Sequence, residues 1–365
     1  MTEQEAYQVL NAIPGVGSVR IQGLIGHFGD AVTILRQERE DLMVCGLLPG
    51  NVVENIVHFS KDKFLIDEYN LSSQRNVSVV TVADAEYPHV LRNIPGAPVV
   101  LYIKGNKTVL HSAMVAMVGS RLCSYYGKAQ ASRFAESFAQ AGLVVVSGLA
   151  RGIDTSAHQG CLKAGGITVA VIGCGLNHIY PKENQQLMEA IVQKGAVVSE
   201  MPMNTPAIPS NFPRRNRIIT GLSLATVVIE AGAKSGALIS AGYALDQGRD
   251  VFAVPANIDY ATALGSNQLL KDGAQMALAP ADVLEVFKAQ VELVFPDRST
   301  MGEKAKPIIN DCEAKVYNIL TTEPMHLDEL VARTKLPIGQ IAQVVLHLQL
   351  KELILELPGK HFIKE

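Results

Sequence analysis

Phe212-Pro213-Arg214-Arg215-Asn216-Arg217 sets three guanidinium groups and an aromatic ring within six residues, and the surrounding stretch 201–229 holds no Asp or Glu. Positive charge beside a flat ring is what a single nucleic-acid strand needs, because arginines take phosphates and rings stack on bases. The alternative is that Phe212 packs into a core and the arginines pair with acids elsewhere in the chain. The overall balance makes the placement informative: 32 Lys and Arg against 35 Asp and Glu leave a net charge of −3. A general polyanion binder would be basic throughout, so any nucleic-acid site here is local.

Three further segments carry groups suited to an anion. In Gly119-Ser120-Arg121 a glycine permits a tight turn, Ser120 offers a hydroxyl and an N–H, and Arg121 a planar fork for phosphate oxygens. The loop Ser147-Gly148-Leu149-Ala150-Arg151-Gly152-Ile153-Asp154 adds Arg151 and an Asp suited to cap the helix that carries His158. Gly173-Cys174-Gly175 is followed by Tyr180-Pro181-Lys182-Glu183-Asn184, which sets a ring and a flexible cation at a helix start. Neither G-x-G-x-x-G nor G-x-x-x-x-G-K-[ST] occurs, although Gly127-Lys128 is superficially similar, so NAD and ATP are disfavoured and no cofactor is expected. Asp154 and His158 stand four apart but lack a third ligand or a nucleophile, so capping and internal hydrogen bonding account for them better than metal binding or catalysis. Cys45, Cys123, Cys161, Cys174 and Cys312 are scattered with no C-x-x-C, which predicts core thiols in a reducing compartment.

These segments need a scaffold that brings them together. From residue 114 onward, apolar runs at 114–118, 143–146, 167–172, 196–199, 224–229 and 250–254 alternate with helical patterns. Runs apolar on both faces predict a doubly wound parallel sheet, α/β and Rossmann-like, with ligands at the carboxyl ends of its strands. Each candidate segment follows one of those runs or opens the helix between two of them. β-rich runs at 77–82 and 99–103 read as an extension that adds strands, giving an extended Rossmann-like domain over 71–290.

Residues 1–70 read as a small helical domain of helix-hairpin-helix or SAM-like type, with breaks at Ile13-Pro14-Gly15-Val16-Gly17 and Leu47-Leu48-Pro49-Gly50. Such hairpins hold a phosphate on exposed amides or simply make tight turns. Residues 291–306 have linker composition, and 307–365 read as three helices and a β-wing, a winged-helix-like domain. Its third helix, 338–351, carries one Lys and no Arg, which favours a protein contact over DNA. The N-terminus lacks a signal peptide and no span is long enough for a bilayer, so the expectation is a cytoplasmic protein without membrane insertion.

Gly119-Ser120-Arg121, the 147–154 loop, Ala157-His158, Tyr180-Pro181, the stretch 212–219 with Gly221-Leu222-Ser223, and Glu230-Ala231 through Ser235-Gly236 together resemble the DprA/Smf family over about residues 75–290. The resemblance implies a homodimer that binds and protects single-stranded DNA in natural transformation and helps load RecA, with no catalytic step. It also implies a positive pocket lined by Arg121, Lys182 and the 212–217 region. Composition and spacing show none of that biology. With the residues read directly, the expected DNA-binding set is Gly119, Ser120, Arg121, Arg151, Tyr180, Lys182, Phe212, Arg214, Arg215 and Arg217. One departure, Pro255-Ala256 where the family usually has Pro-Gly, touches no proposed contact. Two other readings use the same crevice. Glu230-Ala231-Gly232-Ala233-Lys234-Ser235-Gly236 looks like a degenerate phosphate loop of nucleotide phosphoribohydrolases, but no Glu lies in 237–245 to serve them as catalytic carboxylate. A scaffold that senses a small nucleotide is the other.

Overall fold

The computed structural model describes residues 1–294, 311–321, 325–350, 353–357 and 359–364. The apolar runs become strands: β1 (Val77–Thr81), β2 (Val100–Gly105), β3 (Met114–Val118), β4 (Val144–Ser147), β5 (Thr168–Ile172), β6 (Ala196–Ser199), β7 (Ala225–Val228), β8 (Asp250–Ala253) and β9 (Gln275–Met276). They form one sheet in the order β1-β2-β6-β5-β4-β3-β7-β8-β9. Pairings from β6 to β9 are all parallel, while β2 joins β6, and β1 joins β2, antiparallel. Every residue of β3 through β7 is buried. Helices cover both faces, so these strands read as unbroken apolar runs rather than alternating ones.

The chain walks outward from β3 through β4 and β5 to β6, then returns to β7 on the other side of β3 and walks outward again. Connections leaving β3 and β7 therefore diverge, and the gap between their carboxyl ends is the topological switch point where open α/β sheets take ligands.

Six helices precede the sheet: Glu3–Ala12, Ser18–Phe28, Ala31–Arg36, Arg39–Val44, Gly50–Val57 and Lys61–Gln74. The first opens on a capping box, Thr2 accepting from the Glu5 amide while the Glu5 carboxylate accepts from the Thr2 amide. Gly15 has φ +86°, and a Cβ there would lie 2.8 Å from Val52 Cγ2, so the 13–17 hairpin needs glycine both to turn and to pack. The apolar cluster of these helices runs on through Val77, Val100 and Tyr102 to Ile191, Val197 and Met203. The expected boundary at residue 70 is thus not a break in packing, and residues 1–301 form one compact unit. The expected linker also starts too early: the helix Pro280–Val294 runs through its first residues, and 295–306 lie outside the described residues.

The second unit, 302–365, has its own core around Val316, Leu330, Ile341, Leu348 and Phe362. Helices Asp311–Ile319, Leu327–Thr334 and Ile338–Leu350 are followed by the antiparallel pair Ile354–Leu357 and His361–Lys364, and Met325–His326 adds a short third strand. This is a winged helix, as expected; Lys351, the lone Lys or Arg of the expected third helix 338–351, lies outside the described residues. Among the described residues no helix is long and apolar enough to cross a membrane.

Candidate nucleic-acid interface

A crevice of about 500 Å³ opens at the switch point, lined by the end of β3 with the turn that follows it and walled by the helix Asn211–Gly221 and the start of the helix Gly236–Asp246. Glycines let its loops touch backbone to backbone. A Cβ on Gly119 would lie 2.5 Å from Ile153 Cγ1, and one on Gly152, where φ is +78°, would lie 2.4 Å from the Ser120 carbonyl. Ser120 donates its amide to the Glu230 carbonyl at 2.7 Å and accepts that of Ile153 at 3.3 Å. Its hydroxyl donates to the Leu122 carbonyl at 2.9 Å, so three chain segments clamp the Gly119-Ser120-Arg121 turn.

The 147–154 loop is held from below. Asp154 accepts from the amides of Gly148 at 3.1 Å and Ala150 at 3.3 Å, so it staples the loop instead of capping the helix Ile153–Lys163. The cap position belongs to Gly152, which has no side chain to bond. Leu149 sits fully buried at φ +57°, strained for a leucine. Asn184 Nδ2 donates to its carbonyl at 2.9 Å and helps hold it there. His158 is fully buried with Nδ1 2.7 Å from the Thr168 hydroxyl. That hydroxyl already donates to the Val145 carbonyl at 2.7 Å, so Nδ1 must be the donor and Nε2 is left bare. Burial pushes the His158 pKa down to about 3, so the ring stays neutral. It is a core histidine, as the sequence suggested.

The helix Asn211–Gly221 sorts the basic segment by its periodicity. Phe212, Arg215, Asn216 and Ile219 fall on the crevice side. Phe212 stacks against Tyr180 with centroids 5.2 Å apart at 34°, and the Arg121 guanidinium lies 5.3 Å over the Phe212 ring. Tyr180 is 43% exposed, so the stack has an open edge. Among the described residues neither Arg121 nor Lys182 forms an ion pair, and Lys182 stands exposed one residue beyond the cis Tyr180-Pro181 bond.

Four expected ligands are placed differently. Arg215 is only 5% exposed and lies under the crevice floor, with Nη1 donating to the carbonyls of Gly148, at 2.7 Å, and Val171. Burial pushes its pKa down to about 10, with Asp154 acting in the opposite direction, so it remains a cation that ties together the ends of β4 and β5. Burial likewise raises the Asp154 pKa against the pull of Arg215. Arg217 turns away from the crevice to a buried Glu200 at 2.5 Å, and Arg214 faces the same outer side. Arg151 is exposed but engaged by Glu183. The sequence reading missed Asn216, Ser235 and Ser240 as crevice walls. Asn216 was findable, since it stands four residues from Phe212 on one helical face. Glu230, the acid of the degenerate phosphate loop, is 1% exposed and its two oxygens accept from the Ser124 amide at 2.9 Å and hydroxyl at 2.5 Å.

A crevice of this construction on this sheet has relatives. The sequence model of DNA recombination-mediator protein A matches residues 78–288, and that of the DprA winged helix domain matches 303–360. The chain belongs to the DprA/Smf family of DNA-processing proteins. Protein Smf of Synechocystis is 33% identical over 99% of this chain and 98% of its own length. The DNA processing protein DprA of Streptococcus pneumoniae is 39% identical over 66% of this chain and 88% of its own. The X-ray structure of the pneumococcal DprA superposes with a TM-score of 0.67 at 33% identity, covering 78% of this chain and 98% of that one. A structure addressing the single-stranded DNA binding mode of the Helicobacter pylori DprA gives 0.54 at 28% identity, over 60% and 98%. The family match covers the sheet domain and the winged helix, the two regions whose fold the sequence implied most directly.

Proposed function

We propose that the switch-point crevice binds single-stranded DNA without chemistry on it, Arg121 and Lys182 taking phosphates while Tyr180 and Phe212 stack on bases. The observation that carries this reading is the Arg121, Phe212 and Tyr180 stack, a sequence-tolerant platform beside a cation with no acidic partner among the described residues. That the Helicobacter pylori relative binds single-stranded DNA supports the choice of ligand. The buried engagement of Glu230 by Ser124 weighs against the phosphoribohydrolase reading, since it leaves that carboxylate no substrate to meet.

As a member of a recombination-mediator family, the protein hands the strand to RecA in the cytoplasm. It acts as a homodimer, a reading supported by the exposed Met276 and Leu278 at the short edge strand β9. Fluorescence anisotropy with labelled single- and double-stranded oligonucleotides and with mononucleotides, across a salt series, tests the core of this. Tight, salt-dependent single-strand binding that Arg121→Ala and Lys182→Ala each weaken is the expected result. Tight mononucleotide binding without oligonucleotide preference would move the small-nucleotide reading to the front.

A further inference from the structure

Arg214 and Arg217 line a second cavity, a groove of about 850 Å³ on the opposite side of the helix Asn211–Gly221 from the crevice. Its other wall is the N-terminal hairpin from Ile13 to Arg20, with Pro95, Gly96 and Tyr243 closing its ends. Charge in the groove is one-sided. Its single carboxylate, Glu200, is 2% exposed and neutralised, accepting from Arg217 Nη2 at 2.5 Å and from the Ser18 hydroxyl at 2.9 Å. Arg20 and Arg214 are both exposed, and neither forms an ion pair among the described residues. Arg20 is anchored by donating to the Gly15 carbonyl at 2.5 Å.

The walls are fixed before any ligand arrives. Asn11 Nδ2 donates to the Glu200 carbonyl at 2.8 Å and the Ser18 hydroxyl to the Glu200 carboxylate at 2.9 Å, so the hairpin cannot swing away from the sheet without breaking these bonds. Tyr243, Val19 and Ile208 give the groove aromatic and apolar surface between its cations. Gly17 caps the helix Ser18–Phe28 without a side chain, so no side-chain acceptor competes for the first-turn amides. A preformed slot with two unneutralised guanidiniums and flat apolar walls suits a ligand that alternates phosphates with rings.

We infer that the groove is a second subsite for the same single strand, which leaves the crevice over the helix Asn211–Gly221 and lays its phosphates on Arg214 and Arg20. This rests on the crevice binding DNA, and it explains why one basic segment faces two cavities. It gives the N-terminal helices a part in DNA binding through a guanidinium and a hairpin wall.

Anisotropy with labelled oligothymidylates of about 6 and about 20 nucleotides, within the range of single-strand site sizes, separates the two subsites. Arg20→Glu is expected to weaken the long strand about tenfold or more and leave the short one unchanged, a charge-assisted hydrogen bond being worth about that factor. Arg20→Lys should keep most of the affinity. The salt slope for the long strand should become shallower by about 0.7, since one phosphate fewer is neutralised. If Arg20→Glu lowers the melting temperature, Arg214→Gln, whose side chain anchors no other element, makes the same comparison. Equal binding of both lengths by wild type and variants overturns the groove while leaving the crevice intact. Short-strand binding that survives Arg121→Ala overturns the crevice instead.

Discussion

Replacing Arg215 by Met separates structure from binding within the basic segment. The guanidinium sits under the crevice, and its loss leaves the carbonyls of Gly148 and Val171 without their donor, in a region where both residues are buried. Each buried acceptor left unsatisfied costs about 1–3 kcal/mol. Asp154, buried beside it, also loses the positive charge that favours its ionised form. Met restores much of the volume but none of the donors, so the change should destabilise the 1–301 unit by about 3–5 kcal/mol. That is a large part of the roughly 5–15 kcal/mol that holds a domain together. Urea unfolding followed by far-UV circular dichroism suits a chain with no Trp, and the midpoint should fall with the slope unchanged. Arg121→Ala, on the open side of the same crevice, should leave the midpoint in place. An Arg215→Met protein as stable as wild type but unable to bind oligonucleotides would refute the assignment and make Arg215 a DNA ligand.

Other consequences are equally direct. Arg121→Ala should flatten the salt dependence of single-strand binding by about 0.7 in log–log slope, one phosphate's worth, which a titration from low to physiological salt measures. Gly152→Ala places a Cβ 2.4 Å from the Ser120 carbonyl at a φ of +78°, so it should cost about 3 kcal/mol or more and lower the melting temperature sharply. His158 is neutral in the fold, with its pKa pushed down to about 3, whereas the unfolded chain takes up a proton below about pH 6.5. Stability should therefore fall by about 2 kcal/mol between pH 7 and pH 5, and His158→Gln should remove that part of the slope in paired denaturation curves. Leu278→Lys, at an exposed site beside β9, should shift the light-scattering mass toward the monomer without lowering the melting temperature.

The strands were legible because burial on both faces writes itself as an uninterrupted apolar run, and β3 and β6 begin and end where those runs do. Their parallel pairing followed from alternation with helices, but the antiparallel attachment of β2 to β6 did not, since no local pattern records which distant edge a strand will meet. The candidate site was legible as a set of segments and not as a set of side chains. Arg214, Arg215 and Arg217 look alike in the sequence, yet one helical turn sends them to a groove, a floor and a buried ion pair. Helical spacing from Phe212 was enough to put Arg215 and Asn216 on its face. Nothing local could say that Glu200 waited for Arg217. Asp154 was misread as a cap because its neighbour Gly152, in a backbone region closed to other residues, takes that position first.

The antiparallel seam also sets a timetable. Lys104 pairs with Val197, about 90 residues later in the chain, and the cluster that begins with Ala6 and Leu10 is completed by Ile191, Val197 and Met203. At roughly 5–20 residues per second of synthesis, the first hundred residues wait about 5–20 s outside the ribosome before their last packing partners emerge. During that interval the amino-terminal helices carry an uncovered apolar face, which is where a chaperone or a neighbouring nascent chain would meet this protein first. A ribosome-bound chain stalled near residue 120 should be cleaved readily by protease within the helices Glu3–Ala12 and Lys61–Gln74, and one stalled well beyond residue 240 should resist.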